Sequence, residues 1–319
     1  MGKILVTSSH FETLCQDAKR LMTEANHEVM VYKGELPYMS FEEIAKVIGD
    51  IDGAIIGLDD WTDEVFEIAK KLKVIAKFGV GTDNIDKESA KRHGIKVINA
   101  PGCNSNAVAE LTVGFIIGML RNIAGLDKAL HEGSWPRFMG TEMEGHTVGL
   151  MGFGAISKLV AKKLQGFDVR VLAYDLFPDQ VTAAKYGVSL VSSDELIEQS
   201  DIVSIHIPST AETFHMFNDE MFARMKKGAY LINAARGLIV DTQALLRALD
   251  SGKIAGAALD TYEYEPLKKD DPLLTGGKVI CTPHTGSETK EAYYKVSMCV
   301  ARGVLDVLAG RDPKFWVNR

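Results

Sequence analysis

Short apolar segments alternate with segments of helical periodicity through the first third of the sequence. Each apolar segment has the length of a buried strand. Strands separated by helices form parallel sheets covered on both faces, so the alternation predicts an α/β domain. This stretch has no glycine-rich phosphate loop. The predicted strands are 4–7, 28–32, 54–57, 74–77 and 96–98, and two of the predicted helices are 41–48 and 63–72.

The pattern changes near residue 99. A long apolar helix rich in small residues is predicted at 107–120. Such a helix is buried in its own domain or packed against another subunit, and its sequence favours neither alternative. Residues 133–137 (GSWPR) form a predicted surface segment. Further strands are predicted at 147–151, 169–174, 202–205, 229–233, 255–259 and 279–281, and a last helix at 288–308.

One strand–turn–helix–strand unit in the middle of the chain has the order that a dinucleotide requires. The strand at 147–151 ends in the turn 152–154 (GFG), and after the helix a second strand ends at Asp175. Gly152 permits the tight turn, and Gly154 lets the backbone approach a pyrophosphate at the helix N-terminus. Asp175 is placed to accept hydrogen bonds from ribose hydroxyls and to repel a 2′-phosphate. The unit therefore predicts NAD as cofactor and disfavours NADP.

The third glycine of the usual G-x-G-x-x-G pattern is replaced by Ser157. That position serves close packing of helix on strand, and serine is nearly as small, so we expect a small packing cost and retained binding. A competing interpretation is a structural βαβ unit, in which the glycines only turn the chain and Asp175 only ends a strand.

The length of 319 residues indicates two domains or one large domain. The last helix shares no motif with the dinucleotide unit, so we expect it to return to the first domain. A discontinuous substrate domain is therefore predicted at 1–99 and 288–319, and a cofactor domain at 100–287.

Charge and composition exclude several classes of function. The net charge of −7 argues against nucleic acid and anionic membranes as partners. The apolar stretch 115–120 is too short to span a bilayer, and the first residues have no signal-peptide pattern. Scattered cysteines without CxxC spacing indicate free thiols and no metal site. We therefore expect a soluble cytoplasmic protein. The cysteines are Cys15, Cys103, Cys281 and Cys299.

Polar residues follow three successive predicted strands. Arg236 carries a permanent, forked cation suited to a carboxylate and the adjacent carbonyl oxygen. His284 can donate and accept a proton, and Glu265 on its far nitrogen would fix the tautomer and stabilise the imidazolium. Asp260 could hold the nicotinamide carboxamide. Together with NAD, these groups predict hydride transfer on a 2-oxo or 2-hydroxy acid, although each residue alone also has a structural interpretation.

The chain resembles the D-isomer-specific 2-hydroxyacid dehydrogenases, and among them the D-3-phosphoglycerate dehydrogenase-like branch. The resemblance covers nearly the whole length and includes the dinucleotide unit. The other motifs that carry it are FGVGTDNID at 78–86, NAPGCNSNAVAEL at 99–111, INAARGLIVD at 232–241, AGAALDTYEYEP at 255–266 and TPHTG at 282–286.

The resemblance implies two Rossmann-like, doubly wound domains with parallel sheets, an active-site cleft between them and a homodimer formed through the cofactor domain. It places the family's catalytic residues on Arg236, Glu265 and His284. A loop that binds the substrate carboxylate through backbone N–H groups falls on Phe78, Gly79, Val80 and Gly81. The implied cofactor contacts are Val80, Gly152, Gly154, Ala155, Ile156, Asp175, Ile207, Ala234, Ala235, Asp260 and Gly286.

The substrate is less well defined. Phosphoglycerate enzymes of the family use basic residues for the substrate phosphate, and Arg137 matches one of them. The other lies just after the strand at 54–56, where this chain has Asp59 and Asp60. Phosphoglycerate dehydrogenase-like activity is therefore expected, with reduction of glyoxylate, hydroxypyruvate or another small 2-oxoacid as the alternative. Formate is disfavoured because formate dehydrogenases carry glutamine in place of Glu265.

An alternative of another class is an NAD-sensing, corepressor-like scaffold, because this family also includes such proteins. A scaffold of this kind can retain the catalytic residues, so the residues alone do not exclude it. Turnover of simple 2-oxoacids would distinguish the two classes.

Overall fold

The computed structural model describes residues 2–34 and 38–319, and all its strand pairs within sheets are parallel. The predicted α/β class is confirmed. The strands are β1 (Lys3–Val6), β2 (Glu28–Val31), β3 (Gly53–Ile56), β4 (Val74–Lys77), β5 (Lys96–Ile98), β6 (Thr147–Met151), β7 (Arg170–Tyr174), β8 (Val188–Leu190), β9 (Ile202–Ile205), β10 (Ala229–Asn233), β11 (Ile254–Leu259) and β12 (Val279–Cys281).

Helices occupy most of the connections between the strands. They are α1 (Phe11–Leu14), α2 (Gln16–Glu24), α3 (Phe41–Val47), α4 (Asp63–Ile68), α5 (Lys87–Arg92), α6 (Ser105–Leu120), α7 (Ile123–His131), α8 (Ala155–Leu164), α9 (Gln180–Lys185), α10 (Ser193–Gln199), α11 (Asp219–Arg224), α12 (Thr242–Asp250), α13 (Pro272–Thr275) and α14 (Lys290–Leu308). Short 3-10 helices cover Ile48–Asp50 and Gly237–Ile239.

The chain divides into two compact units. The first unit contains Met1–Asn104 and Ser287–Arg319, and the second contains Ser105–Gly286. Helix α14 therefore belongs with the first sheet, although nearly two hundred residues separate it from β5 in the sequence. Each unit has its own sheet and its own hydrophobic core.

The sheet of the first unit has the order β2-β1-β3-β4-β5. Because side chains point alternately to the two faces of a sheet, successive apolar residues of a strand pack into the cores on opposite faces. Ile4 and Val6 pack with Val300 and Val304 of α14, whereas Leu5 packs on the opposite face. Burial of both faces explains why these strands are continuous apolar runs. The strand order reverses between β1 and β3, so the loops after these two strands meet at one crevice.

The sheet of the second unit has the order β12-β11-β10-β9-β6-β7-β8. Val148 and Leu150 of β6 face one core, and Met151 faces the other. The strand order reverses between β6 and β9. In open parallel sheets, ligands bind beyond the carboxyl ends of the strands at this point. The glycine turn at 152–154 follows β6 directly and therefore lies at the reversal.

Several predicted elements need correction. The helix expected at 63–72 ends at Ile68, because Ala69 leaves the helical conformation at ψ 58°. Ala69 and Leu72 are nevertheless buried, so the pattern of apolar residues in the sequence extends beyond the end of the helix. This pattern explains the predicted end at residue 72. Strand β8 was not expected, because the exposed Ser189 interrupts its two apolar residues and no apolar run is visible in the sequence. Helix α6 packs on α8 inside the second unit, so its apolar composition reflects a core position.

Among residues 2–34 and 38–319, no single helix is long and apolar enough to cross a membrane. Within these ranges, only helices α6 and α7 taken together have that length and apolarity, and the pair is bent by 66°. Within the same ranges, no three His, Cys, Asp or Glu side chains cluster as a metal site would require.

Asp59 is a buried anion at the crevice between β1 and β3. Only 1% of its surface is exposed, and its carboxylate accepts hydrogen bonds from Thr7 Oγ1, from Met39 N at 2.5 Å and from Gly57 N at 3.3 Å. Asp60, the next residue, is exposed. The two acids that follow β3 therefore differ in burial and in role. Asp59 is buried and holds three segments of the first unit together, whereas Asp60 is exposed.

We expect Asp59→Ala to destabilise the first unit by about 2–4 kcal/mol, because buried donors lose a charged acceptor. Urea unfolding followed by tryptophan fluorescence would report this change through Trp61 and Trp316, which lie in that unit. Asp60→Ala is the matched control and should leave the transition unchanged. Equal transitions for the two variants would contradict a structural role for Asp59.

Candidate active site

The turn after β6 is shaped by two glycines with different tasks. Gly152 has φ +97°, and a Cβ there would lie 2.6 Å from the carbonyl oxygen of His206. Only glycine fits so close to the end of β9. Gly154 is the N-cap of α8, with open space around the position of a Cβ and no side-chain cap. The N–H groups at the start of α8 therefore remain available to an anion, as a pyrophosphate requires.

Asp175 lies at the end of β7 and contacts the same turn. One carboxylate oxygen accepts a hydrogen bond from Phe153 N at 2.6 Å, and the other accepts one from Phe177 N at 2.8 Å. Each oxygen keeps a second lone pair, so the carboxylate can still accept bonds from ribose hydroxyls. Asp175 thus supports the glycine turn in addition to its predicted role. The turn, the uncapped helix and this acid together fit NAD.

Ser157 occupies the position of the missing third glycine without disturbing the helix. It is fully buried, and its hydroxyl donates a hydrogen bond to Gly154 O at 3.2 Å. The small side chain therefore satisfies its polar atom locally while α8 stays packed on the sheet. This is the small packing change that the sequence predicted.

His206 was not anticipated from the sequence, although it directly follows β9. Its Nε2 lies 2.9 Å from Ser204 Oγ, and its carbonyl oxygen abuts Gly152. Burial lowers the pKa of His206 to about 4, so the ring is neutral at physiological pH. His206 therefore adds no positive charge near the glycine turn.

His284 and Glu265 form a direct pair in the second unit. His284 Nδ1 donates to Glu265 Oε2 at 2.7 Å, and Tyr262 N donates to Glu265 Oε1 at 3.0 Å. With Nδ1 bound to a carboxylate, Nε2 is the ring nitrogen left to exchange a proton. Burial raises the pKa of Glu265, but the hydrogen bonds and the positive charges of His284 and Arg236 outweigh it, and the net pKa lies below its ordinary value.

Asp260 holds the loop that carries His284. Its buried carboxylate accepts from Thr282 Oγ1 at 2.5 Å, Thr285 N at 2.8 Å and Gly286 N at 2.8 Å. His284 itself has φ +53°, a left-handed conformation that costs energy for a residue with a side chain. The bonds to Asp260 stabilise this conformation. Most of the carboxylate's capacity is used here, and a contact of Asp260 with nicotinamide stays a prediction.

Tyr262 connects the same loop to the sheet, a role that the sequence did not indicate. Its hydroxyl lies 3.0 Å from Leu259 O and 2.8 Å from Thr282 O, so it bridges the ends of β11 and β12. Burial raises the pKa of Tyr262 well above its ordinary value, and the hydroxyl therefore stays a donor. The backbone of the Glu265 loop is therefore held at Tyr262, three residues before the acid.

Arg236 follows β10 in a loop organised by Asn233. The fully buried Asn233 donates through Nδ2 to Arg236 O at 2.9 Å and accepts from Ala235 N at 3.0 Å. The guanidinium donates to Ala235 O at 2.7 Å, and its charge acts on Glu265. The structure thus brings Arg236, Glu265 and His284 to one edge of the sheet, as expected for the ends of β10, β11 and β12.

The predicted site residues of the second unit follow strand ends with one exception. Arg137 lies on the exposed segment between α7 and β6, away from any strand end. The others follow β6, β7, β9, β10, β11 and β12; they are Gly152, Gly154, Ala155, Ile156, Asp175, Ile207, Ala234, Ala235, Arg236, Asp260, Glu265, His284 and Gly286.

The remaining predicted residues form the loop after β4 in the first unit. Asn99 Nδ2 donates to Val80 O at 2.7 Å, and Ala100 N donates to Gly79 O at 2.8 Å. Within residues 2–34 and 38–319, the N–H groups of Val80 and Gly81 have no acceptor. Phe78 N and Gly79 N, by contrast, already donate to Ile56 O at 2.9 Å and to Lys77 O at 2.8 Å, so these two predicted donors are occupied. In this described loop, only the N–H groups of Val80 and Gly81 remain for an anionic ligand.

Comparison with known proteins agrees with this geometry. The family model described as the NAD-binding domain of D-isomer specific 2-hydroxyacid dehydrogenases matches residues 113–286. The chain belongs to this family of NAD-dependent oxidoreductases. NAD, predicted from the glycine turn and Asp175, is thereby confirmed as the cofactor.

Relatives that match nearly the whole of this chain include proteins with two different names. A glyoxylate reductase of Thermofilum pendens is 43% identical over 92% of this chain and 88% of its own. A D-3-phosphoglycerate dehydrogenase of Archaeoglobus fulgidus is 38% identical over 99% of this chain, which spans only 59% of that relative. Among solved structures, the D-lactate dehydrogenase of Escherichia coli matches with a TM-score of 0.87, 27% identity and coverage of 99% and 100%.

We expect Asp175→Ala to weaken NADH binding by about 10-fold or more, because a charged acceptor of ribose hydroxyls is lost. Removal of the negative charge should at the same time narrow the preference for NADH over NADPH. Fluorescence titration of both nucleotides would measure the two effects. Asp179→Ala, which removes an N-cap acid of α9, is the control and should leave the preference unchanged. An unchanged nucleotide preference in Asp175→Ala would contradict the predicted role.

Proposed function

We propose that the protein interconverts a small 2-oxoacid and the corresponding D-2-hydroxyacid, with Arg236, Glu265 and His284 as its catalytic residues. NAD(H), when bound, supplies or accepts the hydride at the substrate C2 atom. The observation that carries the proposal is the 2.7 Å pair of His284 and Glu265, with the charge of Arg236 beside it. This constellation follows the strands of a dinucleotide-binding sheet.

Arg236 orients the substrate. Its forked guanidinium can bind the carboxylate and the neighbouring carbonyl oxygen at once, which holds the 2-oxoacid in one orientation. Its positive charge also stabilises the negative charge that develops on the C2 oxygen during reduction. The Asn233 bonds that organise its loop restrict the backbone from which the side chain extends.

His284 transfers the proton. During reduction, Nε2 donates a proton to the C2 oxygen as the alcohol forms, and during oxidation the same nitrogen removes it. Glu265 binds Nδ1 and stabilises the imidazolium that reduction needs. Because the pKa of Glu265 lies below its ordinary value of 4.5, its carboxylate stays charged throughout the neutral and mildly acidic range.

The first unit carries a loop suited to an anion such as a carboxylate. The N–H groups of Val80 and Gly81 lack acceptors within the described residues and can donate to such a group.

The loop after β3 favours an unphosphorylated substrate over D-3-phosphoglycerate. Strands β3 and β4 are neighbours in a parallel sheet, so their loops lie at the same edge. After β3 the chain presents the buried Asp59 and the exposed Asp60 where a phosphate would need a cation. The exposed Asp60 would repel a dianionic phosphate, whereas the Asp59 carboxylate is occupied by internal donors. The glyoxylate reductase relative, matched over 88% of its length, supports glyoxylate as the substrate.

A homodimer formed through the cofactor domain is part of the proposal. The segment from α7 to residue 139 exposes large apolar side chains, with Trp135 83% and Met139 93% exposed. A concentration of exposed large apolar side chains in one segment favours an interface with another protein surface. The other exposed apolar residues of the segment are Ile123, Leu130 and Phe138.

The cytoplasm is the compartment that we propose. All four cysteines are free thiols in the structure, which suits a reducing environment.

His284→Ala should lower kcat/KM for NADH-dependent reduction by about 100-fold or more, because general acid catalysis is lost. Arg236→Ala should produce a comparable loss through substrate orientation. Glu265→Gln should cost roughly 10- to 100-fold and move the alkaline fall of the reduction rate to lower pH, since the imidazolium loses its counter-charge.

The assay uses glyoxylate, hydroxypyruvate, pyruvate, 3-phosphohydroxypyruvate and 2-oxoglutarate, each with NADH and NADPH. We expect the unphosphorylated two- and three-carbon acids with NADH to be turned over best. His93→Ala, outside the proposed site, is the control. A preference for 3-phosphohydroxypyruvate would overturn the substrate proposal, and no turnover of any acid would favour a scaffold.

The dimer is tested by light scattering and sedimentation. The wild type should show twice the 34.9 kDa chain mass. Trp135→Glu together with Met139→Glu should give monomers, because charges would replace apolar contacts. Leu274→Glu, on exposed α13, is the control and should remain dimeric. A monomeric wild type, or a double variant that stays dimeric, would contradict the proposed interface.

A further inference from the structure

A second histidine–glutamate pair lies beside the proposed catalytic one. His215 Nε2 donates to Glu263 Oε1 at 2.5 Å, and the Glu263 side chain is only 15% exposed. Glu263 is two residues from Glu265, but the two carboxylates bind different histidines. The loop after β11 therefore directs one acid to His284 and the other to His215.

His215 is attached through its backbone to the segment that follows Arg236. Its N–H donates to Leu238 O at 2.9 Å, and Phe217 N donates to Ile239 O at 3.0 Å. Two bonds in succession join the chain around His215 to residues 238–239, which come directly after the Arg236 loop. A displacement of His215 would therefore be transmitted to the backbone that carries Arg236.

Glu263 also connects its own loop to the start of helix α12. Its second oxygen accepts from Thr242 N, the first residue of α12, at 2.9 Å. A Cβ on Gly237 would lie 1.9 Å from both the carbonyl carbon and the oxygen of Tyr262, so the Arg236 and Glu265 loops touch through their backbones. Each carboxylate oxygen of Glu263 thus has a donor, one from His215 and one from the chain that follows Arg236.

We propose that His215 and Glu263 are a positioning pair for the reaction, holding the Arg236 loop and the Glu265 loop in register with each other. The inference rests on the proposed function of Arg236, Glu265 and His284. The pair acts through the backbone. The two carboxylate oxygens of Glu263 accept hydrogen bonds from His215 Nε2 and from Thr242 N. Loss of the pair releases the Glu265 loop, and the His284 imidazolium is then less well stabilised.

The test compares His215→Ala, His215→Gln and Glu263→Gln with the wild type in reduction of glyoxylate and hydroxypyruvate. His215→Ala should lower kcat/KM by about 10-fold, the scale of losses when a residue that orients a catalytic group is removed. It should also move the alkaline fall of the pH profile to lower pH, in the direction expected for Glu265→Gln. His215→Gln should restore most of kcat/KM and most of the wild-type pH profile, because the glutamine amide nitrogen can donate near the position of Nε2.

His93→Ala is the matched control. His93 has the same 31% side-chain exposure as His215 and also contacts a carboxylate, Asp63 at 3.3 Å. Its rate and pH profile should equal those of the wild type. Thermal unfolding of every variant identifies loss of fold, and Glu263→Gln provides a second route to loosen the pair if His215→Ala does not fold.

The outcomes separate this inference from the proposed function. A lowered rate with an unshifted pH profile, or no rescue by glutamine, would overturn the positioning role. Unchanged activity of His215→Ala and Glu263→Gln, with His284→Ala inactive, would overturn the inference alone. If Arg236→Ala and His284→Ala also keep wild-type activity, the proposed function itself fails.

Discussion

The site depends on one constraint, that seven parallel strands end at the same edge of the second sheet. Polar residues that follow β10, β11 and β12 are far apart in the sequence, yet the parallel register places Arg236, Glu265 and His284 together. The reversal of strand order between β6 and β9 opens the crevice where the glycine turn lies. Because the strands are buried on both faces, this edge is where the sheet can present polar groups.

Buried carboxylates keep that edge in place. Asp260 accepts four hydrogen bonds from residues 282–286, and Glu263 accepts two from separate segments. Each anion is stabilised by donors that the backbone or a neighbouring side chain supplies, which offsets the cost of its burial. Asp59 does the same in the first unit. These acids therefore serve geometry, whereas Glu265 has the charge that the proposed chemistry uses.

Membership in the D-isomer specific 2-hydroxyacid dehydrogenase family, the NAD cofactor and the parallel α/β fold agree with the expectations from the sequence. The individual roles of the site residues, the substrate and the dimer stay predictions. The substrate inference changed most. The sequence favoured a phosphoglycerate dehydrogenase-like activity, whereas the proposal is a small unphosphorylated acid, because the loop after β3 carries acids where a phosphate would need a cation.

The sequence by itself determined the strands other than β8, the dinucleotide unit and the residues that carry polar chemistry, because short apolar runs, glycine turns and strand-end acids are local signals. It did not show where helix α4 ends, whether α6 belongs to the core, or that Asp59 is buried while Asp60 is exposed. Nor did it indicate that His215 pairs with Glu263, 48 residues away. Only the tertiary structure decided these points, because burial and hydrogen-bond partners depend on which distant segments the sheet order brings together.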